Sequence, residues 1–231
     1  MFSRPLPLPA FIKLDDLEIG LRRNARAKRV TIRIRHGKVS MVLPKRGSFK
    51  QAVKFLESKE IWIRQRLAAH PAKIKMAVGA VLPVLGEELE VVYGKLRGSS
   101  QIMQNQLVIN GDPALVGKKV KKLVSEVLKA EIERIADVKA AEIRVKYRNI
   151  SIRNTVSRWG SCSSKGNLSF CWRIAFAPLE VVDYLVCHEI AHLKEMNHGA
   201  RFWKTVAELC PNYEESELWL KKNGNTLHLY E

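Results

Sequence analysis

The pentapeptide His188-Glu189-Ile190-Ala191-His192, followed six residues later by His198, constrains this chain more than any other stretch. On a helix rising about 1.5 Å per residue, side chains four apart stack roughly 6 Å apart on one face. Two imidazoles so placed can grip one zinc ion. Glu189 is offset around the helix, where its carboxylate can reach a water at the metal as general base. This is the residue pattern of metal-assisted hydrolysis.

A catalytic zinc takes three protein ligands and keeps one position open, so a third must come from elsewhere. His198 is the candidate. Along an unbroken helix it would lie far around the cylinder from the other two, so the chain must turn. Met196-Asn197-His198-Gly199 supplies residues that tolerate the left-handed conformation ending helices. Glu195, on a continuing helix, falls in line with His188 and His192 and cannot close a tetrahedron. Glu208, Glu214, Glu215 and Glu217 stay open as weaker rivals.

The motif alone is short, expected by chance on the order of once in a hundred such chains. Its setting decides. Pro178 opens the helix, and Leu179, Val181, Val182, Leu185, Val186 and Ile190 make most of its surface apolar, which marks it for burial. Burying two imidazoles and a carboxylate without partners costs several kcal/mol, which a metal removes. The competing reading is a hydrogen-bonded structural cluster.

Around this helix stand Arg158-Trp159-Gly160-Ser161-Cys162, Asn167-Leu168, Trp172-Arg173, Ala177-Pro178 and Asn197-His198-x-x-x-Phe202-Trp203. Together they resemble the YgjP-like metal-dependent hydrolases, zincin-fold proteins similar to SprT-like and WLM metallopeptidases. The resemblance implies His188, His192 and His198 as ligands of Zn2+, Glu189 as catalytic base, and Arg158, Trp159, Gly160 and Ser161 as part of a substrate-binding wall, with Trp159 equally well explained as core filler. It is tight over the C-terminal third and looser over the first 150 residues. The His spacing also matches metzincins, but those carry Gly where this chain has Glu195, and no convincing Met-turn follows.

The chain is long enough, and at 46% hydrophobic apolar enough, to bury a real core. Residues 1–11 are Pro-rich without a continuous apolar run, so no signal peptide is expected, and nowhere do eighteen apolar residues run together. The expected address is the cytoplasm, away from membranes. Cys162, Cys171, Cys187 and Cys210 form no CxxC pair and no ladder of close spacings. They read as buried small hydrophobes, not as a zinc site or disulfide framework.

Two domains are expected, 1–78 and 79–231. In the first, residues 17–43 read as β. Val30, Ile32 and Ile34 alternate with Arg29, Thr31, Arg33 and Arg35, giving one apolar and one basic face, and His36-Gly37-Lys38 turns a hairpin. Ser48 reads as the N-cap of one helix running to Pro71 with Val53, Leu56, Ile63 and Leu67 inward. In the second domain, short strands at 81–83 and 88–93 and a hairpin over 101–110 precede a long scaffold helix from Asp112-Pro113, with Val116, Val120, Leu123, Val127 and Ile135 inward. Strands at 143–146, 150–154, 156–162 and 168–176 then form a mixed sheet that feeds the HExxH helix. Two more helices follow, the second before Asn223-Gly224, and a strand over 227–230 carries His228 in a structural or solvent role. The fold class is α+β: a zincin-like core of mixed sheet with active-site and scaffold helices, and an N-terminal β-rich basic subdomain.

The expected reaction is hydrolysis of a peptide or protein: zinc lowers the pKa of its water, Glu189 accepts the proton and later returns it to the leaving amine. An extended peptide suits a cleft lined by a strand edge. Arg158 and Tyr147 are candidates to stabilise the oxyanion, neither of them placed by the sequence. The net charge of +17 attracts polyanions, and twelve Lys or Arg with no acid stand between Glu18 and Glu57. The ordinary account is a solvated basic surface. The sharper one has Arg29, Arg33 and Arg35 holding DNA or RNA phosphates and bringing proteins bound there to the zinc cleft. Two alternatives share the ligand set: a nucleic-acid-binding module with structural zinc, which has no use for Glu189, and a hydrolase of small non-peptide substrates.

Overall fold

The computed structural model describes residues 8–35, 37–69, 71–94 and 98–231. The chain divides into two compact units, Met1–Ala72 and Lys73–Glu231.

In the first unit, β1 (Phe11–Leu14) and β2 (Leu17–Asn24) form a hairpin, with Asp15 at a φ of 52° in the turn. β3 (Thr31–Arg35) and β4 (Lys38–Pro44) form a second, with Gly37 at a φ of 72°, while His36 lies outside the described residues. The strand order is β1-β2-β4-β3, and β2 runs parallel to β4. Alternation along β3 sends Ile32 and Ile34 towards a core of Ile19, Val39, Met41, Leu43, Ala52, Leu56 and Ile63. β1 precedes the stretch expected to be β, and the single helix expected over 48–71 is two. These are α1 (Phe49–Glu57), whose Ser48 cap accepts a hydrogen bond from the Gln51 N–H at 3.4 Å, and α2 (Glu60–Ala68). The break has a local cause. The Ser58 hydroxyl donates to the Phe55 carbonyl at 2.8 Å, and the Lys59 N–H turns back to Leu56 at 2.9 Å, which stops the helical ladder.

Residues 73–78, expected with the first domain, fold with the second. Ile74 bridges Tyr230 in parallel, and the Met76 N–H donates to the Glu231 carbonyl at 3.1 Å. β5 (Val81–Val84), β6 (Glu87–Tyr93), β7 (Gln101–Met103) and β8 (Gln106–Ile109) form a sheet in the order β5-β6-β8-β7. Its β7–β8 turn places both Gln104 and Asn105 at positive φ, the two-residue turn whose twist matches that of the strands. The Asp112 carboxylate caps a short 3-10 turn by accepting from the Ala114 N–H at 2.9 Å, and α3 (Val116–Glu142) follows. Val116, Val120, Leu123, Val124, Leu128, Ile132 and Ile135 are its buried stripe.

β9 (Asn149–Arg153), β10 (Gly160–Cys162) and β11 (Asn167–Cys171) form the third sheet, ordered β10-β11-β9, with β11 parallel to β9 and antiparallel to β10. β10 is therefore an edge. The strand expected at 143–146 is instead the exit from α3, where Arg144 sits at a φ of 57° and the Val145 N–H returns to Ala140 at 2.9 Å. The expected strand over 168–176 ends at Cys171, and Trp172–Phe176 coils into a 3-10 turn that buries Trp172, Ile174 and Phe176. Three helices complete the unit: α4 (Leu179–Ala191), α5 (Ala200–Leu209) and α6 (Tyr213–Leu227). α4 packs against α3, α5, α6 and β10. Gly224 does not end α6 but lies inside it, because the Trp159 indole packs where a side chain would stand; an added Cβ would sit 3.1 Å from Nε1. Among the described residues no helix is long and apolar enough to cross a membrane.

Candidate metal centre

Pro178 starts α4, and the apolar run that follows buries nearly every residue from Val181 to Ala191. The helix stops at Ala191, before it reaches the Met196–Gly199 stretch expected to stop it. Leu193, Lys194 and Glu195 N–H groups return to Ile190 and Ala191 at 2.9–3.0 Å. None of Met196, Asn197, His198 or Gly199 takes a positive φ. Gly199 is instead the extended N-cap of α5. The reversal brings His198 back over the helix.

The ligand nitrogens of His188, His192 and His198 all lie within 4.8 Å of one another. Nε2 of His188 and Nε2 of His198 are 3.1 Å apart. Two nitrogens on one tetrahedral zinc, each bonded at about 2.0–2.1 Å, stand about 3.3 Å apart, so the pair fits a shared cation. His192 Nδ1 lies 3.1 Å from the Glu195 carbonyl. A carbonyl can only accept, so Nδ1 carries the hydrogen and Nε2 keeps its lone pair for a metal. His188 Nδ1 is buried without a partner among the described residues, and the ring is held by packing against Tyr184, Phe202 and Trp203. Burial, then the charges of His192 and His198, push the His188 pKa down to about 4, which keeps this ring neutral and able to ligate.

Phe202 underlies the whole cluster. It is fully buried, and its ring centroid stands 4.9, 4.5 and 4.7 Å from those of His188, His192 and His198. Phe202→Ala is expected to cost about 3–5 kcal/mol of fold stability and to weaken metal binding, since the rings lose their common support. Chemical denaturation of the metal-free chain beside a zinc titration checks both.

Glu189 is 4% exposed and faces Gly160 at the start of β10. Burial raises its pKa to about 8, and the charge of Arg158 opposes the rise. A cation at the three imidazoles would act in the same sense as Arg158, favouring the carboxylate. Trp159, Gly160, Tyr184, Leu185, His188, Glu189, Glu217, Leu220 and Lys221 line a cleft of about 350 Å³ at this point.

Of the expected site residues, the three histidines, Glu189, Trp159 and Gly160 come together here. The Trp159 ring also lies against buried His228, tilted with centroids 4.7 Å apart, so Trp159 serves both the cleft and the core. Ser161 pairs with Ser169 on β11, and Arg158 is exposed, with its carbonyl accepting from the Thr155 hydroxyl at 2.9 Å. Tyr147 is elsewhere, donating to Asp137 at 2.5 Å. Among the carboxylate rivals, Glu195 contributes its carbonyl instead of its side chain, and Glu208 and Glu217 pair with Lys204 and Lys221. Cys171, Cys187 and Cys210 are buried and Cys162 partly so, all four free. Tyr184 and the Glu217-Leu220-Lys221 face of α6 were not foreseen. Tyr184 stands one helical turn before His188 and shares its stripe, a signal that the apolar reading of the helix hid.

No curated protein sequence matches the chain. Two similar solved structures are the metallopeptidase zymogens abylysin of Pyrococcus abyssi and jannalysin of Methanocaldococcus jannaschii. The first is 20% identical with a TM-score of 0.36, over 39% of this chain and 93% of that one. The second is 22% identical with a TM-score of 0.37, over 40% and 95%. The YgjP-like metallopeptidase domain family matches residues 28–223. The chain belongs to the YgjP-like metallopeptidase family and is a metal-dependent hydrolase.

Proposed function

We propose that this metal-dependent peptidase uses Zn2+ held by His188, His192 and His198, and that Glu189 is its general base. The observation that carries the reading is the convergence of three imidazole nitrogens within 4.8 Å beside a buried carboxylate in an open cleft. Zinc held by three imidazoles supplies Lewis acidity that makes water more acidic and a carbonyl more electrophilic. Glu189 takes the proton of the attacking water and carries it to the leaving amine. Among the described residues β10 is an edge strand, and an extended peptide adds to such an edge by backbone hydrogen bonds, which favours Arg158, Trp159, Gly160 and Ser161 as its binding wall. Three ligands with one open position and an adjacent base favour catalysis over a purely structural zinc. Hydrolysis of a quenched, denatured protein is expected to stop on chelation and return with zinc. Activity that survives complete metal removal contradicts the proposal.

A second reading, that the substrates are proteins held on DNA or RNA, is favoured by the placement of charge. Residues 1–72 hold seventeen Lys or Arg against five Asp or Glu. Cleavage of a DNA-binding protein is then expected to rise several-fold when DNA is added at low salt and to lose that rise at high salt.

A further inference from the structure

We infer that the first unit seats the phosphate backbone of a nucleic acid in a cleft between the loop of residues 24–29 and the outer face of β3. The inference deepens the second reading above, and its test involves no turnover.

The local sequence builds the cleft. The Asn24 carboxamide oxygen accepts from the Arg26 N–H at 2.9 Å and its carbonyl from the Ala27 N–H at 3.2 Å, which folds the loop. On β3 the residues Ile32 and Ile34 face the core, so Thr31 and Arg33 face away from it, about 6.7 Å apart along the strand. Val42, opposite Thr31 and 3% exposed, forms an apolar floor. The resulting space is about 550 Å³. Arg26, Lys28, Arg29 and Arg33 line it together with Asn24 and Thr31, and no acidic residue does. The Arg35 side chain lies outside what the structure describes.

The charges there are unspent. Of the unit's five acids, Asp15, Asp16 and Glu60 are engaged by Arg64 on α2. The four cleft cations have no side-chain ion pair or hydrogen bond among the described residues. Like charges gathered without a counter-charge repel one another, and bound phosphates relieve that. A concave site favours a chain that enters it over a flat anionic bilayer, and no exposed apolar residue lines the cleft to anchor in lipid. A polynucleotide brings phosphates at a regular repeat to successive cations, while Asn24 and Thr31 add the neutral donors common at phosphate contacts. No aromatic side chain lines the cleft, so bases have no stacking platform and binding is independent of sequence.

The test is fluorescence anisotropy of the full chain with a labelled DNA duplex of mixed sequence and with an RNA single strand, over a salt series. The log–log salt slope for duplex is expected near −3 to −4, as for about four phosphates. Arg29→Ala with Arg33→Ala is expected to make that slope shallower by about two and to weaken binding at least tenfold. Removing the same charge at Lys50 and Lys54 on α1 is expected to leave the slope unchanged. Equal losses from both double variants would mean a diffuse basic field, overturning the seat, as would absence of binding at low salt. Tighter, Arg29- and Arg33-dependent binding to phosphatidylserine vesicles would assign the cleft to membranes and overturn it too. None of these outcomes bears on the peptidase reading.

Discussion

Glu189→Gln is expected to lower kcat by about 10³-fold or more while the chain keeps its metal, because the amide fills the same space and cannot take a proton. The residue is 4% exposed and is not itself among the three clustered ligand nitrogens, so the substitution leaves fold and ligand set intact. KM should change little, since the carboxylate acts on water and not on the bound peptide. Steady-state kinetics beside metal analysis separates the outcomes. Turnover near wild type with full metal occupancy removes Glu189 from the mechanism.

Gly160→Ala is expected to be nearly as damaging although it adds one methyl group. Its Cβ would stand 2.9 Å from both Cδ and Cγ of Glu189 and closer still to Oε1, nearer than real Cβ atoms approach. The carboxylate must then swing away from its working position or β10 must shift outward. A displacement of about 1 Å at a reacting group costs on the order of 10² in rate. Metal content should stay at the wild-type level, because the atoms nearest the added methyl group belong to Glu189 and not to a ligand imidazole. A kcat unchanged in this variant would mean that the buried position of Glu189 is not its catalytic one. The Gly160→Ala, Glu189→Gln double variant should be no slower than Glu189→Gln alone, since both act through one carboxylate.

The active helix was legible because its chemistry and its burial agree. HExxH needs one helical face, Pro178 marks the start, and the apolar run around it cannot be solvated. Ser48 is legible as a cap for the same reason, a short polar side chain just ahead of a periodic segment. The misreadings share a cause: a local propensity overridden by a partner distant in sequence. Gly224 reads as a helix stop, yet it is the space Trp159 occupies from 65 residues away. Residues 73–78 read as part of the first domain, yet Ile74 and Met76 pair with the chain's last residues. Asn197 and Gly199 read as the left-handed end of α4, whereas the helix unwinds earlier by hydrogen bonds a sequence does not display. The role of Gly160 was hidden in the same way. The motif named it, but only the approach of Glu189 explains why no side chain fits there.

The central claim is a single metal held by His188, His192 and His198. Elemental analysis of the purified chain and of His188→Ala, His192→Ala and His198→Ala tests it most directly. About one zinc per wild-type chain is expected, with occupancy falling by at least tenfold in each variant, His198→Ala included, since a two-imidazole site binds far more weakly. Full zinc in His198→Ala would make another residue the third ligand, and no zinc in the wild type, even after reconstitution, would contradict the metal centre itself.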